Sequence, residues 1–109
     1  MNKYNVVINT LIFEVIEVDD IGETKEGGVI LGHTDYIKQT ISLLKSLSNE
    51  QKINTLRHEL THAYLWAFGF SSMYEEVSLE VVCDFVGIYS EDIVRIANEY
   101  MKEVHKYED

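Results

Sequence analysis

The chain has 109 residues, of which 46% are hydrophobic and 26% are charged, as expected for one globular domain with a single modest core. Nineteen acidic and nine basic residues give a formal net charge of −10, which argues against binding to nucleic acid or to anionic membranes. A single cysteine excludes an intrachain disulfide, and with no signal-peptide pattern and no apolar run of spanning length we expect a cytoplasmic protein.

The N-terminal half is rich in β-branched and aromatic residues, which favour strands. The four predicted strands cover residues 4–8, 11–18, 29–34 and 39–44. Turns at Asn9–Thr10 and 35–38 and a polar loop over 19–28 separate them. We expect an antiparallel meander with one face packed against the next helix, which gives an α+β fold. One amphipathic helix over residues 4–18 is the alternative, which the valine and isoleucine content disfavours.

Residues 48–70 predict one helix. Ser48 and Gln51 have the spacing of a capping box, and Gly69 stands where the helix should end. Six apolar residues recur at helical spacing and form one stripe, which we expect to be buried. They are Ile53, Leu56, Leu60, Ala63, Tyr64 and Ala67.

His58 and His62 project from nearly the opposite side of this helix, in the pattern His-Glu-x-x-His. Two imidazoles one turn apart can bind one tetrahedral metal ion, and Glu59 between them can reach a metal-bound water. Because five residues with three fixed occur by chance in many helices, a third ligand is needed to identify a metal site.

Two further helices are predicted, over 73–88 with a capping box at Ser72 and Glu75, and over 91–107 with Ser90 as the cap. The first is apolar over most of its surface, so we expect it to be buried. Its one polar stripe holds Glu76, Glu80, Cys83, Asp84 and Gly87. A row of buried carboxylates requires a positive partner, which a metal on the histidines would provide. His105, near the chain end, is expected at the surface.

His58, His62 and one glutamate of this helix would form a two-histidine, one-carboxylate zinc site with the fourth position left for water. We favour Glu80 over Glu76 as the third ligand. Asp84 lies one turn beyond Glu80 and could accept the second N–H of a ligating histidine.

The stretch from Leu79 to Gly87 resembles the glutamate helix of the gluzincin metallopeptidases, in which Glu-x-x-x-Asp follows His-Glu-x-x-His. That resemblance implies that Glu80 is the third zinc ligand and that Asp84 supports His58. Over residues 29–90, the order of elements is similar to the very small members of the clan, the ImmA/IrrE-like peptidases common in phages and the minigluzincins. Residues 32–36 and 56–63 carry most of this likeness. A single zincin-type peptidase domain is therefore expected.

Other zinc sites fit the sequence less well. A metzincin would need glycine and histidine where Leu65 and Phe68 stand, and a deformylase-type cysteine would lie upstream of the histidines. Cys83 lies downstream, in the wrong register for a ligand beside Glu80, and is expected to be a buried free thiol.

These residues predict a zinc metallopeptidase that holds one Zn²⁺ and acts on a peptide or protein, with Glu59 as general base. The substrate could bind as an added strand along residues 29–34, or these residues could be an edge strand that binds nothing. Five residues could stabilise the oxyanion, and spacing selects none of them: Tyr74, Tyr89, Tyr100, His105 and Tyr107. A zinc-stabilised binding or regulatory module with little proteolytic activity is the alternative, and a protein without metal is a third. The oligomeric state is not predicted.

Overall fold

The computed structural model describes residues 3–70 and 78–106 and has the predicted α+β architecture, with a four-stranded mixed sheet and two helices. The strands are β1 (Tyr4–Ile8), β2 (Leu11–Val18), β3 (Gly32–Asp35) and β4 (Thr40–Leu44). The helices are α1 (Asn49–Ala67) and α2 (Leu79–His105). Within the described residues, neither helix is long and apolar enough to cross a membrane.

The strand order β1-β2-β4-β3 differs from the predicted antiparallel meander. β1 and β2 form the expected antiparallel hairpin, but β2 pairs with β4 in parallel, and β3 pairs with β4 from the outside. Burial explains this order. β4 buries Ile41, Leu43 and Leu44 and therefore takes an interior position, whereas β3 buries only Thr34 and lies at the edge.

The predicted capping box, C-terminal end and apolar stripe of α1 are confirmed. Ser48 Oγ accepts a hydrogen bond from the Gln51 backbone N–H at 3.2 Å, and Gln51 Oε1 accepts one from the Ser48 N–H at 3.0 Å. The helix ends at Ala67, and Gly69 has the positive φ, 74°, that the C-terminal turn requires. The predicted apolar stripe is buried from Ile53 to Tyr64, and Ala67 is half-buried.

The core lies between one face of the sheet and the two helices. The largest side chains that it buries completely are Ile8, Phe13, Val15, Ile41, Leu43, Leu56, Leu60, Tyr100 and Met101. Since α1 directs its apolar stripe into this core, the opposite face of the helix, which carries the two histidines, is turned outward.

The predicted break at Ser90 is wrong, because α2 is continuous from Leu79 to His105. Its buried residues Phe85, Ile93 and Ile96 stay in one helical register through Ser90, so no new cap is needed. The helix begins after Ser78, whose Oγ accepts a hydrogen bond from the Val81 N–H at 3.2 Å. The predicted capping pair of residues 72 and 75 lies outside the described residues.

The expectation that the first half of α2 is buried is also wrong. Only Phe85 is buried between residues 79 and 92, and Cys83, expected to be a buried thiol, is exposed. Four large apolar side chains of this segment are exposed: Leu79, Val82, Val86 and Ile88.

A largely buried carboxylate, Glu17 on β2, connects both helices to the sheet. Glu17 Oε1 lies 2.9 Å from the ammonium of Lys52 on α1, and Glu17 Oε2 accepts hydrogen bonds from Tyr100 and His105 on α2. His105 is therefore partly buried rather than a free surface residue. Burial alone would raise the pKa of Glu17, but the three donated bonds hold this pKa below its ordinary value of 4.5.

Candidate metal centre

His58 and His62 lie one turn apart on the outward face of α1, and their Nε2 atoms are 3.3 Å apart. A tetrahedral zinc ion with two Zn–N bonds of about 2.05 Å separates its nitrogen ligands by about 3.3 Å. The observed spacing therefore fits two imidazoles on one ion, although it also allows a hydrogen bond between the two rings. His58 is exposed over 68% of its side chain, so a ligand can reach the pair from solvent.

Glu59, between the two histidines, is buried to 7% exposure and points toward β3. Its Oε1 accepts a hydrogen bond of 2.8 Å from the hydroxyl of Thr34, while its Oε2 lies 4.0 Å from His58 Nε2. One carboxylate oxygen is thus held by the sheet, and the other lies on the side of His58.

The backbone of β3 lies very close to α1 at this point. A Cβ atom at Gly32 would lie 2.6 Å from Thr55 Cγ2, well inside van der Waals contact, and 3.2 Å from Glu59 Oε2, which is a tight contact. Glycine is therefore required here by the close approach of strand and helix, and this approach positions Thr34 over Glu59.

Tyr36 and Trp66 form an aromatic border to the site. Their rings are stacked, with centroids 5.1 Å apart and planes inclined by 21°. Burial, and then the nearby charge of Glu59, raise the pKa of Tyr36 above its ordinary value. Tyr36 was not among the predicted site residues, and neither was Thr34. The alternation of side chains along a strand could have predicted that Thr34 faces inward, but it could not have predicted which residue Thr34 contacts.

The predicted carboxylates of α2 are not brought to the histidine pair. Glu80 and Asp84 are exposed, on the face of α2 that they share with Gly87 and Glu91. Over residues 3–70 and 78–106, no three side chains of His, Cys, Asp or Glu are grouped closely enough to hold a metal ion. Glu76, the alternative third ligand, lies outside these residues. The third donor therefore stays a prediction.

The predicted oxyanion-stabilising residues that are described have other contacts. Tyr89 packs in an aromatic cluster, with its ring centroid 4.5 Å from that of Phe68. Tyr100 and His105 are bonded to Glu17. Tyr74 and Tyr107 lie outside the described residues.

Comparison of the chain with protein-family models, with curated proteins and with solved structures gave no match in any of the three. The likeness to gluzincin peptidases therefore depends on the two sequence patterns alone. The geometry defines a solvent-accessible pair of histidines with a buried, oriented glutamate between them.

Proposed function

We propose that this protein is a zinc-dependent peptidase, with His58 and His62 as metal ligands and Glu59 as general base. The observation that carries the proposal is the 3.3 Å separation of the two Nε2 atoms, with Glu59 Oε2 4.0 Å from that of His58. A histidine pair that served only packing would have no need of a buried carboxylate turned toward its outward face.

A bound zinc ion would lower the pKa of a water molecule and polarise the scissile carbonyl. Glu59 Oε2 accepts a proton from the water while the water oxygen bonds to the carbonyl carbon. Glu59 then donates that proton to the leaving amine as the C–N bond breaks. Thr34 fixes the other oxygen of Glu59, so the carboxylate does not rotate between the two proton transfers.

The position of β3 at the edge of the sheet favours a peptide as the substrate. One side of β3 pairs with β4, and the other is not paired with any of the described strands, so an extended peptide can add there through main-chain hydrogen bonds. Because the β3 backbone at Gly32 lies directly against Glu59, a peptide bound along β3 would carry its backbone past the general base.

Glu80 is our proposed third ligand, with Asp84 as the hydrogen-bond partner of a ligating histidine and Glu76 as the alternative donor. Measured zinc affinity decides which of the two glutamates is the ligand. If Glu80 is the donor, Glu80→Gln should weaken zinc binding at least tenfold and Glu76→Gln should not. The opposite result would transfer the role to Glu76.

A zinc-stabilised binding module is the second candidate. The observation that favours it is the row of exposed apolar side chains on α2, at Leu79, Val82, Val86 and Ile88, which is typical of a binding surface. Such a module would bind zinc and lose stability on chelation, but it would release no peptide products.

A mixed peptide library, analysed by mass spectrometry of the products, tests the proposal. The zinc-loaded protein should generate new termini, and both chelation and Glu59→Gln should abolish them while the variant keeps its zinc. Glu50→Gln, an exposed glutamate in the first turn of the same helix, is the matched control and should cleave normally. Cleavage by Glu59→Gln at the wild-type rate would remove Glu59 from the mechanism, and zinc binding without any products would favour the binding module.

A further inference from the structure

A mostly apolar groove of about 380 Å³ lies between α1 and the first half of α2. Six apolar residues line it: Leu65, Val82, Phe85, Val86, Ile93 and Val94. Val82, Val86 and Val94 are each exposed by 41% or more, so this lining faces an open space rather than another described element. A groove of this composition binds an aliphatic or aromatic group and disfavours a polar one.

The groove borders the histidine pair. Thr61 and Leu65, two residues of its α1 wall, follow His58 and His62 by three residues each. Residues at this spacing are neighbours on a helix, with roughly 5–6 Å between their Cβ atoms. A peptide held at the metal centre could therefore place a side chain in the groove. At 3.6 residues per turn, Thr61 and Leu65 lie on one side of the histidines and Glu59 lies on the other.

Arg57 adds a positive charge to this lining. The Nε of its guanidinium is buried and finds no acceptor among the described residues, and its Nη2 donates only one long hydrogen bond, 3.3 Å, to Asn98 Oδ1. Among the described residues that line the groove, Arg57 is the one that carries a charge, in a chain with a net charge of −10. Since Nε is buried, a ligand in the groove would meet the outer nitrogens of the guanidinium, whose positive charge favours a carboxylate.

We propose that this groove is a substrate subsite for a large apolar residue that is followed by an acidic residue, whose carboxylate pairs with Arg57. This subsite is part of the proposed peptidase function and rests on it, because only a peptidase has a peptide substrate. Binding itself does not require catalysis, so the subsite and the chemistry can be tested separately.

The binding test measures how zinc-loaded Glu59→Gln protein binds fluorescein-labelled peptides. Each peptide is built of glycine and serine around a central pair of residues. One peptide carries a central leucine–aspartate pair, and two controls carry leucine–asparagine or serine–aspartate. Fluorescence polarisation should give at least a tenfold tighter Kd for leucine–aspartate than for either control, about the effect of burying one side chain or pairing one charge. Equal affinities for all three peptides would overturn the proposal.

Two matched variants on α2 locate the binding. Val86→Asp places a charge in the groove, and Ile88→Asp places the same charge on an apolar residue outside it that is also more than half exposed. Val86→Asp should weaken binding of the leucine–aspartate peptide at least tenfold, and Ile88→Asp should leave it unchanged. Arg57→Gln should remove the preference for aspartate over asparagine and keep the preference for leucine over serine. Equal weakening by the two aspartate variants would show that the groove is not the site.

Cleavage of the same peptides by the wild-type protein separates this proposal from the function on which it rests. Products from all three peptides at equal kcat/KM would overturn the subsite and leave the peptidase intact. Selective binding of leucine–aspartate without products from any peptide would support the groove as a binding site and refute the peptidase.

Discussion

Gly32→Ala tests the contact that places β3 against the candidate site. The new Cβ would lie 2.6 Å from Thr55 Cγ2, whereas carbon atoms pack best at about 3.5–4.0 Å, so strand and helix must separate by about 1 Å or Thr55 must leave its rotamer. Overpacking of this kind costs about 1–3 kcal/mol, and we expect a loss of about 2 kcal/mol in the free energy of unfolding. The same methyl group would lie 3.2 Å from Glu59 Oε2, a tight contact that requires the proposed general base to shift by a few tenths of an ångström.

Urea denaturation and peptide hydrolysis measure the two effects. Because a displacement of 1 Å at a catalytic group can cost about 10²-fold, we expect kcat/KM to fall about tenfold for the smaller shift that Glu59 must make. Gly87→Ala is the control. Nothing lies within 4 Å of its added Cβ, and it should stabilise α2 by roughly 0.5–1 kcal/mol.

The double variant Gly32→Ala/Thr55→Ala identifies the cause. Removal of Thr55 Cγ2 removes the shortest contact, so the double variant should recover at least half of the lost stability, and the two changes should not be additive. If Gly32→Ala proved as stable and as active as wild type, or if Thr55→Ala gave no rescue, the close packing of β3 on α1 would be refuted.

Three further predictions concern other contacts of the fold. Thr34→Val should lower kcat about tenfold through loss of the hydrogen bond to Glu59, the proposed general base, while zinc affinity stays unchanged, and failure of Thr34→Ser to retain activity would contradict this role. At pH 7, Glu17→Gln should lower the free energy of unfolding by about 3 kcal/mol, because it leaves buried Lys52 unpaired, whereas Glu14→Gln on the same strand should cost less than about 1 kcal/mol. The pKa of Glu17 in the folded protein lies below 4.5, so the stability that Glu17 contributes is complete above pH 4.5 and is lost as the pH falls through the folded pKa. If the difference in unfolding free energy between wild type and Glu17→Gln did not shrink in acid, the network around Glu17 would be refuted. Ser48→Ala should cost about 1 kcal/mol in urea denaturation, and an unchanged midpoint would mean that the capping box contributes nothing.

Local signals in the sequence were sufficient for α1 and for the first hairpin. The capping box at Ser48, the positive φ at Gly69 and the apolar stripe between them all act within one helix. β1 and β2 follow one another across a two-residue turn, so their pairing is also local. The outward position of His58 and His62 follows from the same stripe, which is why this pair could be placed in advance.

The sheet order and the continuity of α2 depend on contacts between distant segments. β4 lies between β2 and β3 because it has more apolar surface to bury, a comparison that no single strand reveals. Ser90 has the local form of a helix cap, but the buried face of α2 continues through it and tertiary packing overrides the signal. The contacts of Glu59 with β3 are likewise non-local, and the sequence could suggest its role but not the hydroxyl that orients it.

Zinc titration of the chelator-treated protein, followed by calorimetry, tests the central claim most directly. The account predicts one zinc ion per chain, at least a hundredfold weaker binding after either His58→Ala or His62→Ala, and wild-type affinity in Glu59→Gln, whose side chain is a base and not a ligand. Zinc binding that survived both histidine substitutions, or the absence of stoichiometric binding by the wild-type chain, would contradict it.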